Sequence, residues 1–450
     1  MRPLRPSRLV RGAARAVQDA WSLAADPLRF LDSLRGEGEG IVRRRLLGRT
    51  ALVVLQPELV EEVLLTQARR FAKPFPRLRA TSPYGQGLLT SEGPHWLAQR
   101  RLMQPGFLPR AVAPLLPRVL EAGEGAMAAW PVGEPFDLRP EAQRLLRRVF
   151  LATLARPDTS LDIEALDREF QVLPRLLEWR VKIPIRLTGW VLLPGRLRFE
   201  AAQQRARGFI RALVAEERAA ATPDVGVLAR ILAARDPEGH PMAESALEDE
   251  VFSLFLAGHE PNAFTLSVAL HLLAHHPEVQ EEAAAEIQAV TAGAPLSAAH
   301  VPRCEAVRRI LAEVLRLYPP TYAMLREATE PATLGEVTVE RGQLVVLPQW
   351  LLHRDARLFP EPLAFRPSRW TREFERALPR MAYFPFGGGQ HLCIGNHAAL
   401  TELAALIAAC LSRFRLEPAS PPALALGGGI ALRLTKPVSV RLVPRAGGAA

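Results

Sequence analysis

The stretch Phe386-Gly387-Gly388-Gly389-Gln390-His391-Leu392-Cys393-Ile394-Gly395 constrains this chain more than any other. It presents one cysteine from a glycine-rich loop immediately ahead of a strongly periodic apolar segment. Beyond Gly395 the apolar positions Leu403, Leu406, Ile407, Cys410, Leu411 and Phe414 recur at helical spacing. The pattern places Cys393 at or just before a helix N-terminus, where outward N–H groups and the positive dipole end lower a thiol's pKa. Gly387, Gly388, Gly389 and Gly395 let the backbone approach something flat and bulky without Cβ clashes. A thiolate held in this way suits a soft metal, haem iron included. The competing reading is a buried structural cysteine after a turn.

Composition narrows the classes. Across 450 residues no Ser/Gly-rich linker or low-complexity tract divides the chain, so a single domain spanning 1–450 is expected. Three cysteines, Cys304, Cys393 and Cys410, make a disulfide framework improbable and fit a reducing cytoplasm. Cys410 falls on the apolar face of its helix and reads as core. The net charge of +10 is almost wholly arginine, since lysine stands only at Lys73, Lys182 and Lys436. No basic block interleaves with aromatics, which argues against nucleic acid as a partner. The basic segment 1–15 lacks a continuous apolar run, and no run of about twenty apolar residues predicts a membrane span.

The patterns predict a mainly helical protein with a small β-rich part. A strand pair is expected at Ile41–Leu47 and Ala51–Leu55, a helix opens at Pro57, and residues 70–92 are irregular enough to face a substrate. From Pro94 to Leu311 helical patterns alternate with short Pro/Gly breaks, and short strand-like runs such as Leu344–Leu347 follow the stop at Tyr318-Pro319-Pro320. The segment 179–194 mixes Trp179, Ile183, Ile185, Leu187 and Trp190 with Arg180, Lys182 and Arg186. It reads either as a packed loop between helices or as a lipophilic lid that touches a membrane surface.

The form Phe386-x-x-Gly389-x-His391-x-Cys393-x-Gly395 resembles the haem-ligand loop of the cytochrome P450 family, soluble bacterial type. In that family the cysteine is the proximal iron ligand, and arginine usually stands where this chain has His391. Further motifs follow in the family's order. In Trp96-x-x-x-Arg100 one helical turn separates an indole N–H from a guanidinium, so both can face one anion. The resemblance assigns that pair to the haem propionates, with Arg326 as a second propionate-binding arginine and His391 beside them. Glu313-x-x-Arg316 lies on a helix whose apolar face is Val307, Ile310, Leu311 and Val314. The run Phe359-Pro360-x-Pro362-x-x-Phe365-x-Pro367-x-Arg369-Trp370 supplies the family's third partner in Arg369, which implies a buried scaffold cluster under the haem.

Ala257-Gly258-His259-Glu260 sits inside a long apolar pattern from Leu247 to His275, where a glycine and a carboxylate are out of place in a buried helix. The resemblance makes this the distal helix, with Ala257 and Gly258 lining the oxygen groove and Glu260 as the acid that delivers protons. The family follows that acid with Thr or Ser, whereas this chain has Pro261. Proline removes the N–H that would reach the Ala257 carbonyl, so a kink is expected, and the usual hydroxyl is lost. Asn262 is rotated about 100° around the helix and points elsewhere. His259 reads as a helix residue bonded away from the site.

The resemblance therefore implies a mostly helical P450 fold holding haem b, with Cys393 on the iron and Phe386, Gly387 and Gly395 shaping the ligand loop. It implies a monooxygenase that inserts one oxygen atom into a lipophilic substrate. Electrons are expected from an acidic ferredoxin or flavodoxin with its reductase, because nothing in the chain resembles a flavin, iron–sulfur or nicotinamide site. A monomer is expected. Pro261 leaves a second reading open, a haem-thiolate enzyme that uses peroxide or rearranges an oxygenated substrate.

Overall fold

The computed structural model describes residues 19–445 apart from positions 20, 39, 47–48, 75–84, 158, 162–195, 222–223 and 430. The proposed lid at 179–194 and the middle of the irregular 70–92 region lie outside the described residues. In chain order the elements that position the site are strands β1 (Ile41–Leu46), β2 (Arg49–Val54) and β3 (Phe71–Ala72), then helices α1 (Gly93–Met103) and α2 (Leu116–Met127). Strand β4 (Pro135–Asp137) leads into helix α3 (Leu138–Leu154), and α4 (Arg196–Ala219) and α5 (Glu244–Gly258) follow. The remainder is α6 (Glu260–His275), α7 (Pro277–Thr291), α8 (Glu305–Leu317), β5 (Met324–Ala328), β6 (Leu344–Leu347), α9 (Asn396–Arg413), β7 (Phe414–Pro418) and β8 (Ser439–Pro444).

Local chemistry accounts for these boundaries. Asp137 caps α3 by accepting the Arg139 N–H. Helix α8 buries Val307, Ile310, Leu311 and Val314 as its periodicity predicts, and Tyr318 with two following prolines ends it. Helix α9 starts just after the cysteine loop and buries Leu403, Leu406, Ile407, Cys410 and Leu411. Cys410 is core, with its thiol pushed up to about 12 by burial. Helix α6 is buried on every side, Asn262 through Ala274, and packs against α3, α8 and α9 at the centre of the largest apolar cluster.

The principal sheet runs β1-β2-β6-β5-β3. The β1–β2 hairpin and the β5–β6 and β3–β5 pairs are antiparallel, but β2 pairs with β6 in parallel, Ala51 against Leu344. The parallel β2–β6 pair joins strands that nearly three hundred residues separate, so no hairpin constrains their direction. A second sheet joins β4, β8 and β7. Among the described residues no helix is long and apolar enough to cross a membrane.

Candidate active site

The cysteine loop is closed by its own backbone. The Cys393 N–H donates to the Phe386 carbonyl at 3.0 Å, and Leu392 N–H donates to Gly389 at 3.1 Å. Gly389 has φ +66, and a Cβ there would stand 1.9 Å from the Leu64 carbonyl oxygen, so only glycine fits. The turn leaves Cys393 exposed, and the Gly395 N–H and the Arg100 charge both favour its thiolate. Burial nevertheless dominates and raises the thiol pKa. The sequence pattern predicts the opposite shift; it registers the helix start but not the low-dielectric wall of protein around the sulfur. Exposure combined with a burial-driven shift places the sulfur on the surface of an interior hollow, where a metal can reach it.

Positive groups gather on one side of that hollow. Arg326 is 4% exposed, and its guanidinium donates only to the neighbouring Leu325 carbonyl among the described residues. Arg100, on α1 one turn beyond Trp96, is half-buried and meets no carboxylate in ion-pair contact among the described residues. Burial lowers the pKa of both arginines, opposed by Cys393 near Arg100 and by Glu92 near Arg326. Buried cations without an ion-pair partner call for an anion. An accessible thiol, two such arginines and a glycine-lined floor fit haem with its two propionates.

His391, expected beside a propionate, also meets an acid of this chain. Its Nε2 lies 3.1 Å from Glu92 Oε2, and its ring rests on Trp96 with centroids 4.3 Å apart. Burial pulls the His391 pKa down, against the hydrogen bond and charge of Glu92. Burial works against ionisation of Glu92 too, yet His391 and Lys73 outweigh it and hold that carboxyl below the usual range. Sequence reasoning passed over Glu92 because an acid one residue before a helix reads as a cap.

The distal helix is broken where proline predicts. Helix α5 ends at Gly258, His259 adopts φ −114 ψ −38, and α6 restarts at Glu260 with Pro261 in its first turn. Ala257 and Glu260 are exposed. Gly258 approaches Phe150 so closely that a Cβ would lie 2.4 Å from the ring. Ile394, beside the cysteine, packs against the same cluster as Phe150 and Phe255, which brings the break and the ligand loop together. His259 is buried with Nδ1 unpartnered among the described residues, and burial lowers its pKa to about 4, so it is neutral near pH 7. Thr265, one turn on, cannot replace the missing hydroxyl, because its Oγ1 donates to the Pro261 carbonyl at 2.9 Å.

Asn262 points away from the break, as its rotation predicts, and its Nδ2 donates to Glu402 Oε2 at 3.4 Å. Glu402 is a functional candidate that the sequence reading missed, although a carboxylate on the apolar face of α9 was a visible signal. Burial raises its pKa to about 8, against hydrogen bonds from Asn262 and Thr153, so it stays protonated at neutral pH. The sign of the linkage follows. As pH rises from the ordinary carboxylate range to about 8, the unfolded chain ionises this group and the native state does not, so native stability falls. Glu402→Gln keeps the hydrogen bonds and removes the titration. Chemical denaturation at about pH 5 and about pH 8 is expected to show a smaller stability loss in the variant than in the wild type; an equal loss overturns the assignment.

On α8, Glu313 is fully buried between two guanidiniums. Its Oε1 accepts from Arg316 Nη2 at 2.8 Å and Arg369 Nε at 3.0 Å, and its Oε2 accepts from Arg316 Nε at 2.8 Å and Trp370 Nε1 at 2.9 Å. Arg316 spends its other donors on the carbonyls of His353, Pro362 and Ala364.

Comparison with known proteins agrees with this geometry. Residues 20–441 match the family model described as Cytochrome P450. The chain is 33% identical over 396 residues to cyclooctat-9-en-7-ol 5-monooxygenase of Streptomyces melanosporofaciens, covering 87% of this chain and 85% of that protein. It is 30% identical to pentalenene oxygenase of Streptomyces avermitilis over 90% of both chains. Among solved structures, the cytochrome P450DA heme domain superposes with a TM-score of 0.80 at 25% identity, covering 93% of both chains.

Proposed function

Because the chain belongs to the cytochrome P450 family and is a monooxygenase of that family, we propose that it inserts one atom of dioxygen into a C–H or C=C bond of a lipophilic cyclic terpenoid. The electrons come from a separate acidic ferredoxin or flavodoxin that docks on an arginine-rich surface. The observation that carries the reading is the accessible Cys393 thiol together with the half-buried Arg100 and the buried Arg326, neither of them in an ion pair among the described residues. The terpenoid class is supported by the names of the two relatives.

Cys393 would hold haem b through its thiolate, and the group would supply oxygen activation there. Arg100, Arg326 and the Trp96 indole N–H would hold its propionates, with the Glu92–His391 pair beside them. The backbone between Phe386 and Gly395 keeps the sulfur in place. On the opposite side Glu260, in the first turn of α6, is the acid from which a proton reaches the site. The helix break at Pro261 interrupts the backbone ladder beside Ala257 and Gly258, where oxygen and water would enter.

The test is turnover of a cyclic terpenoid panel under labelled dioxygen, with a generic ferredoxin and reductase. One labelled oxygen in the product is expected. Glu260→Gln is expected to lower product formation by about 100-fold, the lower range for losing a positioned acid. Unchanged turnover rules Glu260 out. The absence of a hydroxyl beside Glu260 favours a second reading, peroxide use or rearrangement. Product that forms only with peroxide, or that carries no label, makes that reading the better one.

A further inference from the structure

Residues 85–91 form a small loop fastened to α5 by two adjacent carboxylates. Glu250 Oε2 accepts the Leu88 N–H at 2.9 Å, and Asp249 Oδ2 accepts the Gln86 N–H at 2.7 Å. The Leu88 carbonyl accepts from Lys73 Nζ at 2.8 Å. The Lys73 N–H in turn donates to Glu92 Oε1 at 2.7 Å, and Glu92 Oε2 meets His391. One run of contacts therefore joins the distal helix to the cysteine loop through Leu88. The loop is braced from within, Thr90 Oγ1 donating to Gly85 and Ser91 Oγ to Gly87. Its seat is tight as well: a Cβ on Gly85 would lie 2.1 Å from the Asp249 carboxyl. The residue after Leu88 is Leu89, whose apolar side chain is left 42% exposed.

Glu250 is an odd choice for stability alone. It is 1% exposed among Val251, Phe252 and Phe255, and its Oε1 has no hydrogen-bond partner among the described residues. Burial and the neighbouring Asp249 push its pKa up to about 7, against Leu88 N–H and Lys73. Arg207 pairs with Asp249 and not with Glu250. A carboxyl kept at such a cost, with one bond to a loop amide, is explained by what that amide positions.

We propose that Glu250 is a specificity-determining positioning residue: by holding the Leu88 amide it sets where Leu89 stands, and so governs how tightly a bulky apolar substrate binds more than how fast bound substrate is oxidised. This rests on the reading that the substrate is lipophilic and meets this loop at the exposed Leu89 side chain. The test compares the wild-type holoenzyme with Glu250→Ala and Glu250→Gln. Amide hydrogen exchange reads the loop, and spectral titration reads binding of a cyclic diterpene alcohol, with imidazole as a small probe. In Glu250→Ala, exchange at Leu88 is expected to rise and the diterpene Kd to weaken by about tenfold, the worth of one such hydrogen bond. Imidazole affinity and kcat stay within about twofold, and Glu250→Gln, which keeps an acceptor oxygen, restores both readouts. Unchanged exchange, unchanged diterpene binding, a fall in kcat in place of Kd, or a glutamine variant that behaves like alanine overturns the role. Failure of the wild type itself to bind the diterpene sinks the substrate reading and the role together.

Discussion

Glu313→Ala is expected to lower the free energy of unfolding by about 3–5 kcal/mol, the range for breaking a buried ion pair from one side. The substitution strands Arg316, which is fully buried, and Arg369, which is nearly so, together with the Trp370 N–H. It also removes the acceptor of the Arg366 backbone N–H at 2.9 Å, so the polypeptide that carries Arg369 loses its anchor. Glu313→Gln keeps one acceptor oxygen and is expected to cost less. Urea unfolding of the holoprotein measures both, and soluble yield reads the effect where alanine prevents folding. A loss under about 1 kcal/mol in alanine contradicts the cluster's structural role and equates it with a solvated surface pair.

Cys393→Ser is expected to abolish monooxygenation and the thiolate-type Soret shift of the reduced, carbon monoxide-treated protein. A hydroxyl is a hard donor that stays protonated near neutral pH, so it supplies neither the soft ligand nor the electron push. Changes beyond the ligand shell cost metal sites roughly 10–100-fold, and loss of the ligand itself exceeds that. Because Arg100, Arg326 and the glycine floor are untouched, folding is expected to survive, checked by far-UV circular dichroism. Retention of the shift in serine contradicts Cys393 as the ligand. The raised thiol pKa adds a second observable: in metal-free protein Cys393 is expected to react with alkylating agents more slowly at neutral pH than a helix-start thiol does.

The cysteine loop, the α9 register, the strand pair and the Pro261 break were legible from residue order because each rests on local rules, whereas the pairing of Glu313 with Arg369, 56 positions away, came only from the family resemblance. Periodicity decides which helix face is buried, proline removes a known hydrogen bond, and the cysteine loop needs glycine where φ turns positive. The residues that were not legible depend on who faces whom. Glu402 lies 140 positions from Asn262, and Glu92 lies 299 from His391. Nothing in either local pattern carries that pairing. The direction of the Cys393 shift was misread for the same reason, since a dipole can be inferred from a helix start whereas desolvation requires the surrounding shell.

By itself, then, the residue order determined the helical class, the glycine-rich loop that presents Cys393 and the helix break at Pro261, all governed by interactions within a few residues. Only the tertiary structure decided the parallel β2–β6 pairing, the protonation of Glu402, the engagement of His391 by Glu92 and the hold of Glu250 on Leu88. Those outcomes are set by burial and long-range contact, and the strength of a charge or hydrogen bond depends on the dielectric that folding creates around it.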